Sequence, residues 1–241
     1  MNNPRATLIV PASNESETIN NFLENLSDSV SFKVEVMIIV DSLDDTTIPA
    51  IPVLNFQNMT VNCVLNQIGG GPANAIRYGI SKASAPVIVV TMADGSDDPS
   101  VIETMVRLIE RGCSMVVASR YMPGGQQIGG PRLKKFLSVN ASRILRILGG
   151  IDIHDATNSY RAFSKEFADK SSIESTNGFE IGLELTAKAH RTRQIIAEIP
   201  TIWIDRQFGQ SKFKLAKWLP GYLKWFFYSF GIKYTNSGSE Y

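Results

Sequence analysis

Residues 85–119 read "APVIVVTMADGSDDPSVIETMVRLIERGCSMVVAS", and the order of patterns inside this stretch decides the fold. The apolar run "APVIVVTMA" has the length and β-branched content of a strand, and it gives way to Asp94, Asp97, Asp98 and Pro99. From Pro99 to Arg111 the apolar residues Ile102, Met105, Val106 and Ile109 recur at the spacing of one helix face. "SMVVAS" then reads as a second strand. Neither strand alternates apolar with polar residues, so both faces of each need cover, which a mostly parallel sheet flanked by helices provides. Asp97, Asp98 and Pro99 suit a turn that starts the following helix. Asp94 is left over, and a site for a metal-bound diphosphate would account for it.

The same alternation extends upstream. "ATLIVPA", "KVEVMIIV" and "TVNCVL" read as three more strands. Glu15–Asp28 reads as a helix with Asn14 and Glu17 spaced as a capping box, and Pro72–Ser81 as a helix opening after three glycines. "DDTTIPAIPVLNF" has room only for a short helix interrupted by proline. In such a sheet ligands bind beyond the carboxyl ends of the strands, where strand order reverses. The unusual loops "PASNE", "DSLDDTT", "NQIGGGPA", "ADGSDD" and "SRYMPGG" all fall there. Beyond Gly130 the pattern predicts a helix over Lys134–Leu148, a "DATNSYRAF" segment, a helix around Gly178–Arg191 and a hairpin-like "IIAEIPTIWIDR".

With 241 residues, 44% hydrophobic and 20% charged, the chain can bury one substantial core. Its 24 basic and 23 acidic residues leave a net charge of +1, which gives no global pull toward nucleic acid, so anion binding must come from local clusters. Cys63 and Cys113 sit in apolar contexts without CxxC spacing and read as reduced, buried thiols of a cytosolic protein. The opening "MNNPRATLIVPASNE" lacks the long apolar segment of a signal peptide.

The carboxyl-terminal stretch "KFKLAKWLPGYLKWFFYSFGIKY" is dense in aromatics and carries Lys214, Lys217, Lys224 and Lys233. Its longest uncharged run, Trp225–Ile232, is far below the roughly 18 apolar residues that span a bilayer. Trp218, Tyr222 and Trp225 on a lysine-bearing helix suit a membrane interface. Packing of the same rings on the domain is the other reading. Phe226, Phe227, Tyr228 and Phe230 exceed what one packing face needs and favour the interface.

"GGGPANAIRYG" does not meet G-x-G-x-x-G and follows the third strand rather than the first. It leaves a helix amino terminus at Gly71, with Arg77 one turn in, which suits a phosphate or a polar base as well as a plain tight turn. Glu15, Asp41 and Asp94 put three carboxylates on one rim, and these repel unless a cation or ligand donors offset them. Magnesium or manganese with a diphosphate does so, because such ions take one or two carboxylates plus phosphate oxygens. Arg120, Arg132, Lys134, Lys135, Arg206 and Lys212 form basic clusters that could make a second anion pocket facing the acids.

The series "VPASNESETI", "IIVDSLDDTT", "GGGPANAIRYGI", "MADGSDDP", "ASRYMPGG", "DATNSYRAF", "GFEIGLEL" and "DRQFGQSK" resembles, in order and spacing, the family 2 glycosyltransferases. It looks most like their dolichyl/polyprenyl-phosphate mannosyl- and glucosyltransferase branch, over about residues 6–215. The resemblance implies an α/β GT-A fold with a nucleotide-diphosphate sugar and Mg2+ or Mn2+ at the rim. It also implies a transferase domain over 1–211, nucleotide-binding to about 130 and acceptor-binding beyond, with 212–241 as an amphipathic aromatic tail.

Position by position, Pro11, Ser13 and Glu15 match the first nucleotide-binding loop, with Ser13 where the family usually has an aromatic. Asp41 matches the acid at the base or ribose, and Gly71 and Arg77 fall in the matching glycine turn. Asp94 matches the second aspartate of the D-x-D metal motif, Ala93 is its middle position, and Met92, a poor ligand for a hard cation, stands in place of the first. Ser96 falls near the metal. Arg120, Arg206 and Lys212 match phosphate-contacting residues, and Lys134 and Ser138 fall where the family grips the acceptor's phosphate.

The implied reaction is inverting transfer of a hexose to undecaprenyl or dolichyl phosphate, whose anionic oxygen needs no general base. It implies a cytoplasmic protein, peripheral at the cytoplasmic face of the membrane, with room for a membrane-protein partner or self-association. One rival is a family 2 transferase acting on a hydroxyl, which needs a carboxylate base; Asp155 and Glu180 are the candidates, and both also read as caps. Another is a nucleotide-sugar-binding module without turnover, supported by Met92.

Overall fold

The computed structural model describes residues 3–51, 56–206 and 215–232. Seven strands form one sheet in the order β3-β2-β1-β4-β7-β5-β8. They are β1 (Ala6–Pro11), β2 (Val34–Val40), β3 (Met59–Leu65), β4 (Val87–Val90), β5 (Met115–Ser119), β7 (Arg161–Ser164) and β8 (Ile196–Pro200). β1 pairs in parallel with β2 on one side and β4 on the other, so strand order reverses beside the carboxyl end of β1. "DATNSYRAF" supplies a central strand: β7 is the antiparallel member, wedged between β4 and β5, with Ala162 opposite both Val89 and Val116.

Alternate residues of each strand face opposite layers. Leu8, Val36, Val89 and Val116 pack under α1 (Ile19–Ser29) and α4 (Ile102–Glu110), and all four apolar residues foreseen on α4 are buried. Ile9, Ile39, Ile88 and Val117 pack under α3 (Pro72–Lys82) and α7 (Glu180–Arg191). At Gly79 the contact between α3 and β1 is close enough that a Cβ would lie 2.6 Å from a methyl carbon of Ile9. Short helices α2 (Thr47–Ala50) and α6 (Lys165–Lys170) complete this half of the chain's connections.

Four sequence readings need correction. The first helix starts at Ile19 rather than Glu15, because Asn14 takes a left-handed conformation (φ 57) and spends its polar groups on the next loop. Its amide donates to Asp45 Oδ1 at 3.0 Å and its own Oδ1 accepts from Thr46 N at 3.2 Å. Cys63 is exposed and Cys113 half-buried, since β3 is an edge strand and Cys113 follows the end of α4. "IIAEIPTIWIDR" is no hairpin. β8 runs parallel to β5, whereas β9 (Ile202–Ile204) leaves the sheet to pair with β6 (Gln126–Ile128).

The last correction concerns the aromatics. α8 (Leu215–Ser229) lies along α7, with Trp218 and Trp225 only 7% and 2% exposed. Trp225 Nε1 donates to Ser175 Oγ at 2.9 Å, and the Trp218 ring meets Phe179 edge-on at 5.7 Å. These rings serve packing. Among the described residues the longest run of exposed large apolar side chains lies instead on α5 (Arg132–Gly149), where only Ser142 and Leu145 are buried. Among the described residues no helix is long and apolar enough to cross a membrane.

Candidate functional site

The loops after β1, β2 and β3 interlock beside the strand reversal. Asp45, buried, accepts from Asn14 N and Thr47 N, while Thr47 Oγ1 accepts from Glu15 N at 2.9 Å. Asp41 Oδ1 accepts from Asn66 Nδ2 at 2.8 Å and its Oδ2 from Gly71 N at 2.7 Å. The amide of Gly71, the last glycine of the turn and the N-cap of α3, is therefore already engaged. Gly71 needs its freedom here: φ is +103, and a Cβ would lie 2.9 Å from the carbonyl oxygen of Asn177. Arg77 Nη1 donates to Asn74 Oδ1 at 3.2 Å. Pro11 ends β1 opposite Ile39, and Ser13 is half-buried in the loop that follows.

Beyond β4 the chain turns so that Asp94 Oδ1 accepts from Ser96 N at 3.1 Å. Its Oδ2 lies 2.8 Å from Arg206 Nη2, with the Asp94 side chain 8% exposed. The three acids of the rim thus each find donors within the protein, Glu15 through Thr18 Oγ1, so their mutual repulsion does not by itself demand an ion. Ala93 is buried in the core beneath them. Asp98 caps the turn into α4 by accepting from Ser100 N, as its position suggested.

Asp97 is different. Its Oδ2 accepts from Met92 N at 3.0 Å and Thr91 Oγ1 at 3.2 Å. Burial and then the charge of Asp94 push its carboxyl up to about 7.

Arg120, at the end of β5, is held by Asp155. Nε and Nη2 reach the two carboxylate oxygens at 2.7 and 3.0 Å, and the backbone amide adds a third bond at 3.2 Å. Both side chains are buried, 9% and 0% exposed. Ser138 of α5 bonds the hydroxyl of Thr157. Lys134, one turn earlier, is lowered to about 8 by burial and by repulsion from Arg120 and Arg206.

Asp94, Ser96, Arg120, Lys134, Ser138 and Arg206 all line one cavity of about 370 Å³. From this charged end its wall continues over Leu137 and Ile144 of α5, Leu183 of α7, and Leu223 and Phe226 of α8. Charge at one end and hydrocarbon along the rest suit an amphiphile with an anionic head.

Among the described residues no group of three or more His, Cys, Asp and Glu is placed to hold a metal on its own. The donor set fits a hard cation that arrives with a diphosphate: one nearly buried carboxylate, with the nucleotide's oxygens completing the shell. Met92 is half-buried on the same cavity and offers only a thioether.

The structure therefore brings six expected residues together. Glu15, Asp41 and Gly71 lie in the neighbouring loops and Arg77 on α3, and Lys212 lies outside the described residues. Sequence reasoning missed Asp97, the Asp155 partner of Arg120, and the apolar wall. No local signal marks the pairing of Arg120 with a residue 35 positions away. The α5 part of the apolar wall did carry one, because Leu137 and Ile144 lie on the helical stripe that Leu133, Phe136, Ile147 and Leu148 continue on the exposed side.

Residues 7–171 match the sequence profile described as Glycosyl transferase family 2. An undecaprenyl-phosphate mannosyltransferase of Micrococcus luteus is 30% identical over 218 residues, covering 86% of this chain and 87% of that protein. A polyprenol monophosphomannose synthase of Mycolicibacterium smegmatis is 25% identical over 231 residues, covering 89% and 86%. Glucosyl-3-phosphoglycerate synthase from Mycobacterium tuberculosis, solved with Mn2+, UDP and glucosyl-3-phosphoglycerate, superposes with a TM-score of 0.67 at 18% identity, covering 98% of this chain and 82% of that one. The last likeness bears on fold alone, and the fold is the expected GT-A type.

Proposed function

The chain belongs to glycosyl transferase family 2, and from that premise we propose that it moves a hexose from a nucleoside-diphosphate sugar to a polyprenyl phosphate. One observation carries the reading: a single cavity joins Arg120, Lys134, Ser138 and Arg206 to an apolar wall shared by α5, α7 and α8. A phosphate head on an isoprenoid chain has that division of polarity. A small phosphorylated acceptor would have no use for Ile144, Leu183 and Phe226. The relatives named for undecaprenyl-phosphate and polyprenol substrates support the same choice.

In this reading the acceptor's phosphate oxygen, held by Lys134 and Ser138, attacks the anomeric carbon and inverts it. Arg120 stabilises the leaving diphosphate, with Asp155 keeping its guanidinium charged and aimed. Arg206 supplies positive charge between donor and acceptor, and the match of Lys212 to the family gives it the same task. Magnesium or manganese bound with the nucleotide at Asp94 and Ser96 would neutralise charge on the diphosphate. Pro11, Ser13, Glu15, Asp41 and Gly71 are assigned to the base and ribose, and Arg77 to the nearby phosphate.

The hydroxyl-acceptor alternative loses its two bases. Asp155 is spent on Arg120, and Glu180 accepts from the amides of Asn177 and Gly178 at 3.1 and 2.8 Å. The test is movement of radiolabel from a nucleotide sugar into butanol-extractable, mild-acid-labile lipid. Nucleotide binding with no such product from any common donor would leave a binding module.

The lowered Lys134 makes acceptor use depend on pH. The ammonium is present below about 8 and lost above it. The KM for polyprenyl phosphate should therefore climb as pH rises from 8 toward 10, while Lys134→Arg, charged throughout, flattens the profile. A wild-type KM constant across that range would remove Lys134 from the acceptor site.

A membrane-embedded acceptor also requires a docking face, and α5 fits it. Leu133, Phe136, Ile147 and Leu148 are 62–77% exposed on a helix with five Lys or Arg residues and no acid. Phe136→Glu with Ile147→Glu should abolish flotation on phosphatidylglycerol vesicles with little effect on Tm, since both side chains are mostly exposed. Unchanged flotation would return the assignment to another surface.

A further inference from the structure

Glu198 is the residue whose place in the fold the sheet does not explain. It stands on β8 in register with Val117 of β5, between Ala197 and Ile199, with its side chain 8% exposed. A carboxylate in such a position is unfavourable unless hydrogen bonds satisfy it, and an apolar residue would serve the strand. Among the described residues its side-chain bonds go to one turn of the loop between α5 and β7. Oε1 accepts from the amides of His154 and Asp155 at 2.7 and 2.9 Å, and Oε2 lies 2.7 Å from His154 Nδ1.

The neighbours define the imidazole. A carboxylate only accepts, so Nδ1 carries a proton toward Glu198; Arg146 Nη1 only donates, so Nε2, 2.7 Å away, accepts from it. Glu198 thereby ties α5, through Arg146 and His154, to the backbone of the residue that holds Arg120. Asp155 accepts three bonds from Arg120, and among the described residues its own main-chain amide donates to Glu198 Oε1. Any swing of that turn rotates the carboxylate, and the guanidinium follows it.

We propose that Glu198 is a positioning residue for the transfer, aiming Arg120 at the leaving diphosphate through the His154–Asp155 turn. This rests on the role given to Arg120 above. Glu198→Gln keeps the size but turns an amide donor toward His154 Nδ1–H. The ring can relieve that only by switching tautomer, which then opposes Arg146.

Displacements of this kind reach up to about 10²-fold, and the expected result is a kcat about tenfold lower with donor KM within about twofold, at temperatures where the variant, its Tm lowered by the opposed donors, is still fully folded. In an Arg120→Lys background the same substitution should add less than about twofold, because the group it aims is gone. His154→Gln, which keeps a donor toward Glu198 at a site 30% exposed, should restore most of the rate that His154→Leu loses.

A second readout needs no turnover. The Nε–H resonance of Arg120, identified by its loss in Arg120→Lys, should exchange slowly in the wild type and rapidly in Glu198→Gln. If the wild type transfers no sugar to polyprenyl phosphate, the proposed activity fails while this resonance still reports the link. An unchanged resonance overturns the proposal. So does an equal loss of kcat in both Arg120 backgrounds, or a loss that merely follows Tm.

Discussion

Asp155→Asn should cost about 3–5 kcal/mol of stability and reduce transfer by about 10³-fold. Arg120 is nearly buried, and burial works against its charge; the charge and hydrogen bonds of Asp155 more than offset this and hold its pKa above the ordinary arginine value. A guanidinium cannot escape the penalty by giving up its proton. With asparagine present it stays charged, keeps one acceptor, and faces an amide donor where a carboxylate oxygen had been. Its alternatives are to remain buried without a counter-ion or to pull the end of β5 toward water. Urea unfolding and single-turnover transfer measure the two effects. A variant losing under about 1 kcal/mol would mean that solvent reaches the pair.

Asp94→Asn is the other large effect. Transfer should fall by about 10²–10³-fold, and manganese should no longer improve nucleoside-diphosphate binding in calorimetry, because the carboxylate proposed to hold the metal is gone and the Met92 thioether on the same cavity cannot replace it. Cation-dependent binding that survives would move the metal elsewhere.

The same substitution should change stability against pH. Asp97 is raised from 3.8 to about 7, first by burial and then by Asp94. A raised acid binds its proton more readily when folded, so its contribution is fully present below about pH 4 and lost as pH rises through 7. Removing the charge of Asp94 brings the Asp97 carboxyl down and narrows that window, and urea midpoints at pH 5 and 8 should differ less than in the wild type.

Neither effect was legible as a pair of residues. "SRYMPGG" and "DATNSYRAF" each announced a loop, but nothing in either names the other, because the ion pair exists only once β7 is inserted beside β5 and the α5–β7 loop is carried to the carboxyl end of that strand. Met92, Asp94 and Ser96 were legible because a strand end and the family pattern fall within five residues. The aromatic segment misled for a physical reason. Ring content reports how much apolar surface must be covered and not by what, and α7 covers Trp218 and Trp225. The stripe on α5 went unread: its spacing is that of a core face, yet four of its residues are 62–77% exposed.

What the sequence determined by itself is local or periodic: the strands and helices of the first half of the chain, the helix face of Ile102, Met105, Val106 and Ile109, and the placement of the acid- and glycine-bearing loops at one rim. Hydrophobic period and turn chemistry act over a few residues, so they can be read in order along the chain. What only the tertiary structure decided is which charges neutralise one another and which apolar faces remain uncovered. Asp94 with Arg206, Asp155 with Arg120 and Glu198 with His154 are contacts between distant segments, and their strength depends on burial that no single segment possesses before the sheet closes around it.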